Sequence, residues 1–256
     1  MPDQRLLNKV CIVTGSTGGI GEAISELFAE HGAHIVISGR NIENGKAIAQ
    51  RIVDAGNIAH FIRADVAIDS DCEALIKQTV DHFGGLDVLV NNAAATDSLT
   101  AQDAAALQPE DWDRQMQVNL RAVYFMSRLA IPELKNRGGG TIVNISSVGG
   151  MVAWPNAVAY LTAKGGVNQM TRAMAVDFIA DNIRVNALCP GWILTPVEQR
   201  RLKKDPELME RNIERMGITR MGKPREMAYA ALFLACEESS YVTGTSLIAD
   251  GGWTLR

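Results

Sequence analysis

The chain has 256 residues, 47% of them apolar and 21% charged, with a formal net charge of −4. That is enough apolar material for one large domain, and the acidic balance speaks against nucleic-acid binding, which calls for a strongly basic face. The start, MPDQRLLNKV, lacks the apolar core of a secretory leader and no apolar run reaches the ~20 residues of a membrane span, so a cytoplasmic protein without a membrane partner is expected.

In chain order, KVCIVTG (9–15) is apolar nearly throughout, as a parallel strand covered on both faces must be. It runs into TGSTGGIG (14–21), after which Ile20, Ala23, Ile24, Leu27 and Phe28 mark one stripe of a helix packed on a sheet. A strand, a glycine turn and a helix N-terminus allow close backbone approach to a pyrophosphate. The spacing of Gly15, Gly19 and Gly21 departs from GxGxxG, and a tight turn alone would also use glycine.

The second strand, HIVISG (34–39), ends in SGRN (38–41). A dinucleotide fold that takes NAD places an acidic residue here for the ribose hydroxyls, whereas arginine suits the 2′-phosphate of NADP. Gly39 and Arg40 therefore favour NADP(H), with space at Gly39 for the phosphate, and NAD(H) stays possible because Gly18 stands where a second basic residue could. A solvated turn arginine is the plain alternative.

Further strands are expected at 59–65, 86–92, 140–146, 183–190 and 246–250, with helices near 43–55, 70–83, 110–136, 157–180 and 225–236. Regular alternation implies right-handed βαβ units in a doubly wound α/β sheet of about seven parallel strands, one domain over 1–256. The polar segment 195–222 breaks the rhythm, either as a solvated excursion or as a mobile substrate lid at about 195–220. Its Arg200, Arg201, Lys203 and Lys204 read first as a wet helix face.

Two stretches carry chemistry. NISSVGG (144–150) precedes AYLTAKGG (159–166), in which Tyr160 and Lys164 share one helix face, one turn apart. An ammonium beside a phenol favours the phenolate and eases proton exchange. The four cysteines, Cys11, Cys72, Cys189 and Cys236, form no CxxC pair and fit reduced, buried thiols, and the histidines show no metal-ligand clustering.

Taken together, TGSTGGIG, NNAA (91–94), MQVNLRA (116–122), the Ser147 spacing of thirteen residues before Tyr160, YLTAK (160–164) and NALCPGWILT (186–195) resemble the short-chain dehydrogenase/reductase family over nearly the whole chain. The resemblance implies a Rossmann-like fold, a homotetramer and NAD(P)(H)-linked hydride transfer between a ketone and a secondary alcohol. It implies Tyr160 as proton donor or acceptor and Lys164 as the group that lowers its pKa and holds the nicotinamide ribose. Ser147 would hydrogen-bond the developing alkoxide, and Asn119 would anchor a water-linked proton path. Alone, Ser147 could be a turn residue and Asn119 a helix cap; Ser146 competes with Ser147 and is set aside on spacing.

Cofactor contacts implied by the same resemblance are Gly15, Ser16, Thr17, Gly19, Ile20, Gly21, Arg40, Asn41, Asp65, Val66, Asn92, Ala93, Ala94, Tyr160, Lys164, Pro190, Gly191, Ile193 and Thr195. Ala94 stands where the family usually has glycine. Trp154 and Trp192 either pack or meet substrate. Competing readings are a 3-oxoacyl-[acyl-carrier-protein] reductase, with 200–204 meeting an acidic carrier, an NAD-linked alcohol dehydrogenase, and a nucleotide-sensing protein that has lost catalysis. The retained Tyr160 and Lys164 speak against the last.

Overall fold

The computed structural model describes residues 4–95 and 103–255. Seven strands, β1 (Val10–Thr14), β2 (His34–Gly39), β3 (Ile58–Arg63), β4 (Val88–Asn91), β5 (Gly140–Ile145), β6 (Ile183–Pro190) and β7 (Ser246–Ala249), form one parallel sheet in the order β3-β2-β1-β4-β5-β6-β7. Alternate residues of each strand enter opposite cores. Cys11, Val13, Ile35, Ile37, Val88, Val90 and Val143 face one; Ile12, Val36, Leu89 and Ile142 face the other. Period-two placement of residues that are all apolar is why both faces can be covered.

On the first face, α1 (Gly19–Glu30) and α9 (Pro224–Ala235) bury Ile24, Leu27, Phe28, Ala231 and Leu232, and α2 (Ile42–Asp54) adds Ile48 and Ile52. On the second, α3 (Asp69–Phe83), α5 (Ala122–Asn136) and α6 (Val158–Phe178) supply Leu75, Phe125, Met126 and Met174. The strand order reverses between β1 and β4. Loops leaving those neighbouring strands diverge there and open a crevice at their carboxyl ends, the usual ligand position in such sheets.

Two details depart from the sequence reading. The helical stretch 110–136 is not continuous: α4 (Pro109–Met116) and α5 are separated by a π turn, Gln117–Arg121. The polar excursion 195–222 folds into α7 (Pro196–Lys204) and α8 (Leu208–Met216). Its base is closed where Leu194 N donates to Gly222 O at 2.8 Å and Gly222 N donates to Trp192 O at 2.9 Å.

The end of α9 is held by a cation that donates to carbonyls and a hydroxyl there. Arg184 on β6 donates to Leu234 O (3.0 Å), Ser239 Oγ (2.7 Å) and Cys236 O (3.1 Å). A cation at a helix C-terminus complements the unsatisfied carbonyls and the dipole. Arg184→Met should therefore strand these acceptors and lower unfolding stability by about 1–3 kcal/mol. Urea unfolding would show this as a lower midpoint at an unchanged slope.

Candidate active site

The glycine loop takes its shape from close approaches. Gly15 has φ 63°, and a Cβ there would lie 2.6 Å from Ala93 Cα. A Cβ at Gly21 would lie 2.4 Å from Asn92 Nδ2. Thr14 and Asn92 fasten the two loops: Asn92 N and Ala93 N donate to Thr14 Oγ1 at 3.0 and 3.1 Å, and Asn92 Nδ2 donates to Thr14 O and Gly15 O at 2.9 and 3.0 Å. Ala94, beyond them, is exposed.

A dinucleotide fits this cradle. No side chain caps α1 at Gly18, and a Cβ built on Gly18 would meet nothing within 4 Å, so the entry to the helix is uncapped and uncrowded. Ile20 lies in that first turn, partly buried. Gly19 (φ 63°) faces Thr195, whose Cγ2 lies 3.6 Å from where its Cβ would be. Thr195 caps α7 by accepting from Glu198 N, so two helix N-termini converge.

Several expected contacts have structural work here. Ser16 is fully buried; its hydroxyl donates to Val13 O at 2.6 Å and accepts from Ser38 N at 3.0 Å. Asn41 caps α2 by accepting from Asn44 N at 3.0 Å. Asp65 Oδ1 accepts from Ala67 N at 3.0 Å, and the Val66 side chain is buried in the second core. Pro190 ends β6 and is buried; Gly191 N donates to Ala249 O at 3.0 Å; Ile193 is buried and bridged to Gly222.

At the end of β2 the space at Gly39 is already claimed. A Cβ there would lie 2.8 Å from Thr17 Cγ2 and 3.0 Å from its Oγ1. The expectation that Gly39 leaves the space empty is thus corrected: Thr17 packs over the glycine, beside exposed Arg40, which makes no ion pair among the described residues. Sequence spacing could not bring Thr17 to Gly39.

The two serines after β5 are turned to different tasks. Ser146 Oγ donates to Lys164 O at 3.1 Å. Ser147 Oγ accepts from Gly149 N at 3.0 Å and lies near enough to the Tyr160 phenol to act on its pKa. Lys164 is buried, and its Nζ donates to Ile145 O at 2.8 Å while standing 5.8 Å from the Tyr160 ring centroid. Burial pushes the Lys164 pKa down to about 8. It also pushes the Tyr160 phenol above its ordinary range, against the lowering by Ser147. The expected lowering by Lys164 does not dominate: loss of water does.

Asn119 sits fully buried in the π turn. Its Oδ1 accepts from Ala95 N at 2.8 Å, and its Nδ2 donates to Gln115 Oε1. Gln115, which sequence reading passed over, also donates to Ala95 O at 3.2 Å. The adjoining Leu120 packs on Gly166, two residues past Lys164.

Trp154 lies with its ring centroid 6.4 Å from that of Tyr160 and stacks on Trp253, at 5.3 Å and 29°. Trp253 was missed, since nothing local marks a residue after the last strand as a site neighbour. Trp192 Nε1 donates to Glu198 Oε2 at 2.9 Å, and Arg201 pairs with the same carboxylate at 2.6 Å.

A family model described as enoyl-(acyl carrier protein) reductase matches residues 15–254. The NADP-dependent (R)-specific alcohol dehydrogenase of Lentilactobacillus kefiri is 36% identical over 255 residues, 98% of this chain and 99% of that one. A solved Burkholderia xenovorans protein described as a short-chain dehydrogenase/reductase superposes with a TM-score of 0.92 at 36% identity, covering 98% of both chains. A 7α-hydroxysteroid dehydrogenase complexed with NADH and 7-oxo glycochenodeoxycholic acid gives 0.90 at 32% identity, covering 98% of this chain and 96% of that one.

The buried lysine has a measurable signature. The folded chain releases its proton near pH 8, whereas an unfolded chain holds it to about the ordinary 10.5. Between those values the unfolded state binds more protons, so this residue's contribution to stability rises with pH. The stability of the parent relative to Lys164→Met should increase when urea unfolding is compared at successive pH values across that window. A flat difference would mean that Lys164 is hydrated.

Proposed function

This chain belongs to the short-chain dehydrogenase/reductase family, oxidoreductases of CH–OH and C=O groups that use NAD(P)(H), and on that footing we propose an NADP(H)-linked ketone reductase and secondary-alcohol dehydrogenase. The dinucleotide supplies or accepts the hydride when bound. The observation that carries the proton half of the reaction is the buried Lys164 ammonium 5.8 Å from the Tyr160 ring centroid, with Ser147 acting on the phenol and Ser146 turned away to the Lys164 carbonyl.

Tyr160 gives its proton to the substrate oxygen in reduction and takes it back in oxidation. A phenol held protonated by burial is the right form for the reductive direction. Ser147 hydrogen-bonds the same oxygen as charge develops on it. Lys164 holds the ribose and replenishes the proton; Asn119 keeps the π turn and Ala95 in place behind it. The 195–220 segment serves as the cover. The family resemblance supports a homotetrameric, cytoplasmic form as part of this proposal; no helix among the described residues is long and apolar enough to cross a membrane.

The NADP(H) preference rests on Arg40, exposed and unpaired by any carboxylate in the described residues, with Thr17 packed over the preceding Gly39. Of the relatives described, one is NADP-dependent and another is complexed with NADH, so the choice is a property of each chain's own residues. A second reading, reduction of 3-oxoacyl groups on an acidic carrier, is favoured by exposed Arg200, Lys203 and Lys204 on α7. A panel of thioesters, ketones and sugars with NADPH and NADH separates the two.

Tyr160→Phe should keep fold and cofactor binding and lower turnover by about 10² or more. Ser147→Ala should fall strongly as well, and Ser146→Ala less. Near-normal turnover of Tyr160→Phe in steady-state assays would remove the proposal.

For the cofactor, a charge-assisted hydrogen bond contributes about 1.5–3 kcal/mol, so Arg40→Ala should weaken NADPH about ten- to a hundredfold and leave NADH nearly unchanged. Gly39→Asp alone must displace Thr17; paired with Thr17→Gly it should raise NADH affinity further than either change by itself. Dissociation constants at fixed salt check both expectations, and a parent that prefers NADH would make Arg40 a turn residue.

A further inference from the structure

We infer that the stacked Trp154 and Trp253 rings form a platform for a planar aromatic group carried by the substrate, so that the site takes aryl ketones and the matching secondary alcohols. The inference rests on the hydride-transfer reading above and names its substrate class.

Two unrelated devices bring the rings together. The Trp154 ring edge lies on the backbone of Gly149, where a Cβ would stand 2.7 Å from Cη2. Gly149 is two residues beyond Ser147, so the ring lies beside both groups that hold the carbonyl oxygen. Trp253 arrives from the other end of the chain. Asp250 accepts from Gly252 N and Thr254 N, both at 2.8 Å, and so folds the turn that presents it. That turn packs on Gly191, where a Cβ would lie 2.7 Å from Asp250 Cα.

Both rings are only partly buried, so the stack is a surface and not a sealed core. An aromatic ring gains from offset or edge contacts with such a face beyond the area it buries. Glu198 and Arg201 are engaged with each other, and Glu198 also with Trp192. A neutral ring bearing a carbonyl satisfies the rings on one side and Ser147 and Tyr160 on the other.

The test compares acetophenone, cyclohexyl methyl ketone, 2-butanone and an acetoacetyl thioester, each with NADPH, in the parent, Trp154→Ala, Trp154→Phe and Trp253→Ala. The parent should show its highest kcat/KM with acetophenone. Trp154→Ala should lower the acetophenone to 2-butanone ratio of kcat/KM by roughly three- to tenfold, mainly through KM, and Trp154→Phe should restore part of it. Trp253→Ala should shift the ratio in the same direction by less. Equal losses on all substrates, or a parent that prefers the thioester or does not distinguish acetophenone from its saturated counterpart, would overturn the platform.

A parent that turns over none of the four would instead overturn the oxidoreductase reading. Calorimetric titration with 1-phenylethanol then decides the platform alone: binding weakened by Trp253→Ala sustains it, and absence of binding to the parent removes it.

Discussion

Lys164 is fastened at both ends, and the site depends on it. Its ammonium donates to the carbonyl of Ile145, the last residue of β5, and its own carbonyl accepts from Ser146, the next residue along. One residue thereby locks the end of a strand to the second turn of α6. Ser147 follows directly on that strand and Tyr160 stands one turn earlier on that helix, so neither can slide against the other. Removing an ammonium from water is costly, and the hydrogen bond to Ile145 offsets only part of it. The lowered pKa records the remainder.

A polar chain inside the sheet supports this tie. Asn91 on β4 donates to Ser127 on α5 and to Asn144 on β5, at 3.1 and 2.9 Å, and Asn144 donates to Thr171 on α6 at 2.9 Å. All four residues are buried. Buried amides that find such partners fix the relative positions of the elements they join more strictly than apolar contacts do, because a slip of one residue would leave each of them unpaired. The sheet's carboxyl edge is therefore stiff where the chemistry gathers, while α7 and α8 attach through a narrow base.

Much of this could be read from the sequence because it is local or ordered along the chain. Continuous apolar runs such as KVCIVTG and IRVNALCP mark covered strands, and the stripe from Ile20 to Phe28 marks a helix against them. The thirteen-residue spacing separated Ser147 from Ser146, and their different hydrogen bonds give that separation a geometry. What escaped was set by tertiary approach. Thr17 covers Gly39, Trp253 meets Trp154 across about a hundred residues, and Ser16 and Asn41 spend their side chains on loop and cap. The sign of the Tyr160 shift also escaped, because a helix-face argument sees the neighbouring charge and not the loss of water.

The π turn at 117–121 sets the rotational phase between two helices. An α-helix advances 100° per residue, so a wider turn leaves the helix beyond it facing a direction that a regular continuation would not reach. Here α4 presents Gln115 toward Ala95 while α5 presents Phe125 and Met126 to the sheet. A regular α-helix run through the same residues without the wider turn would rotate everything on one side by about 100°. Either Asn119 would leave Ala95 or the α5 face would leave the core. The widened turn, and not the side chains at the solvent-facing positions, is accordingly what lets one run of residues serve both Ala95 and the core.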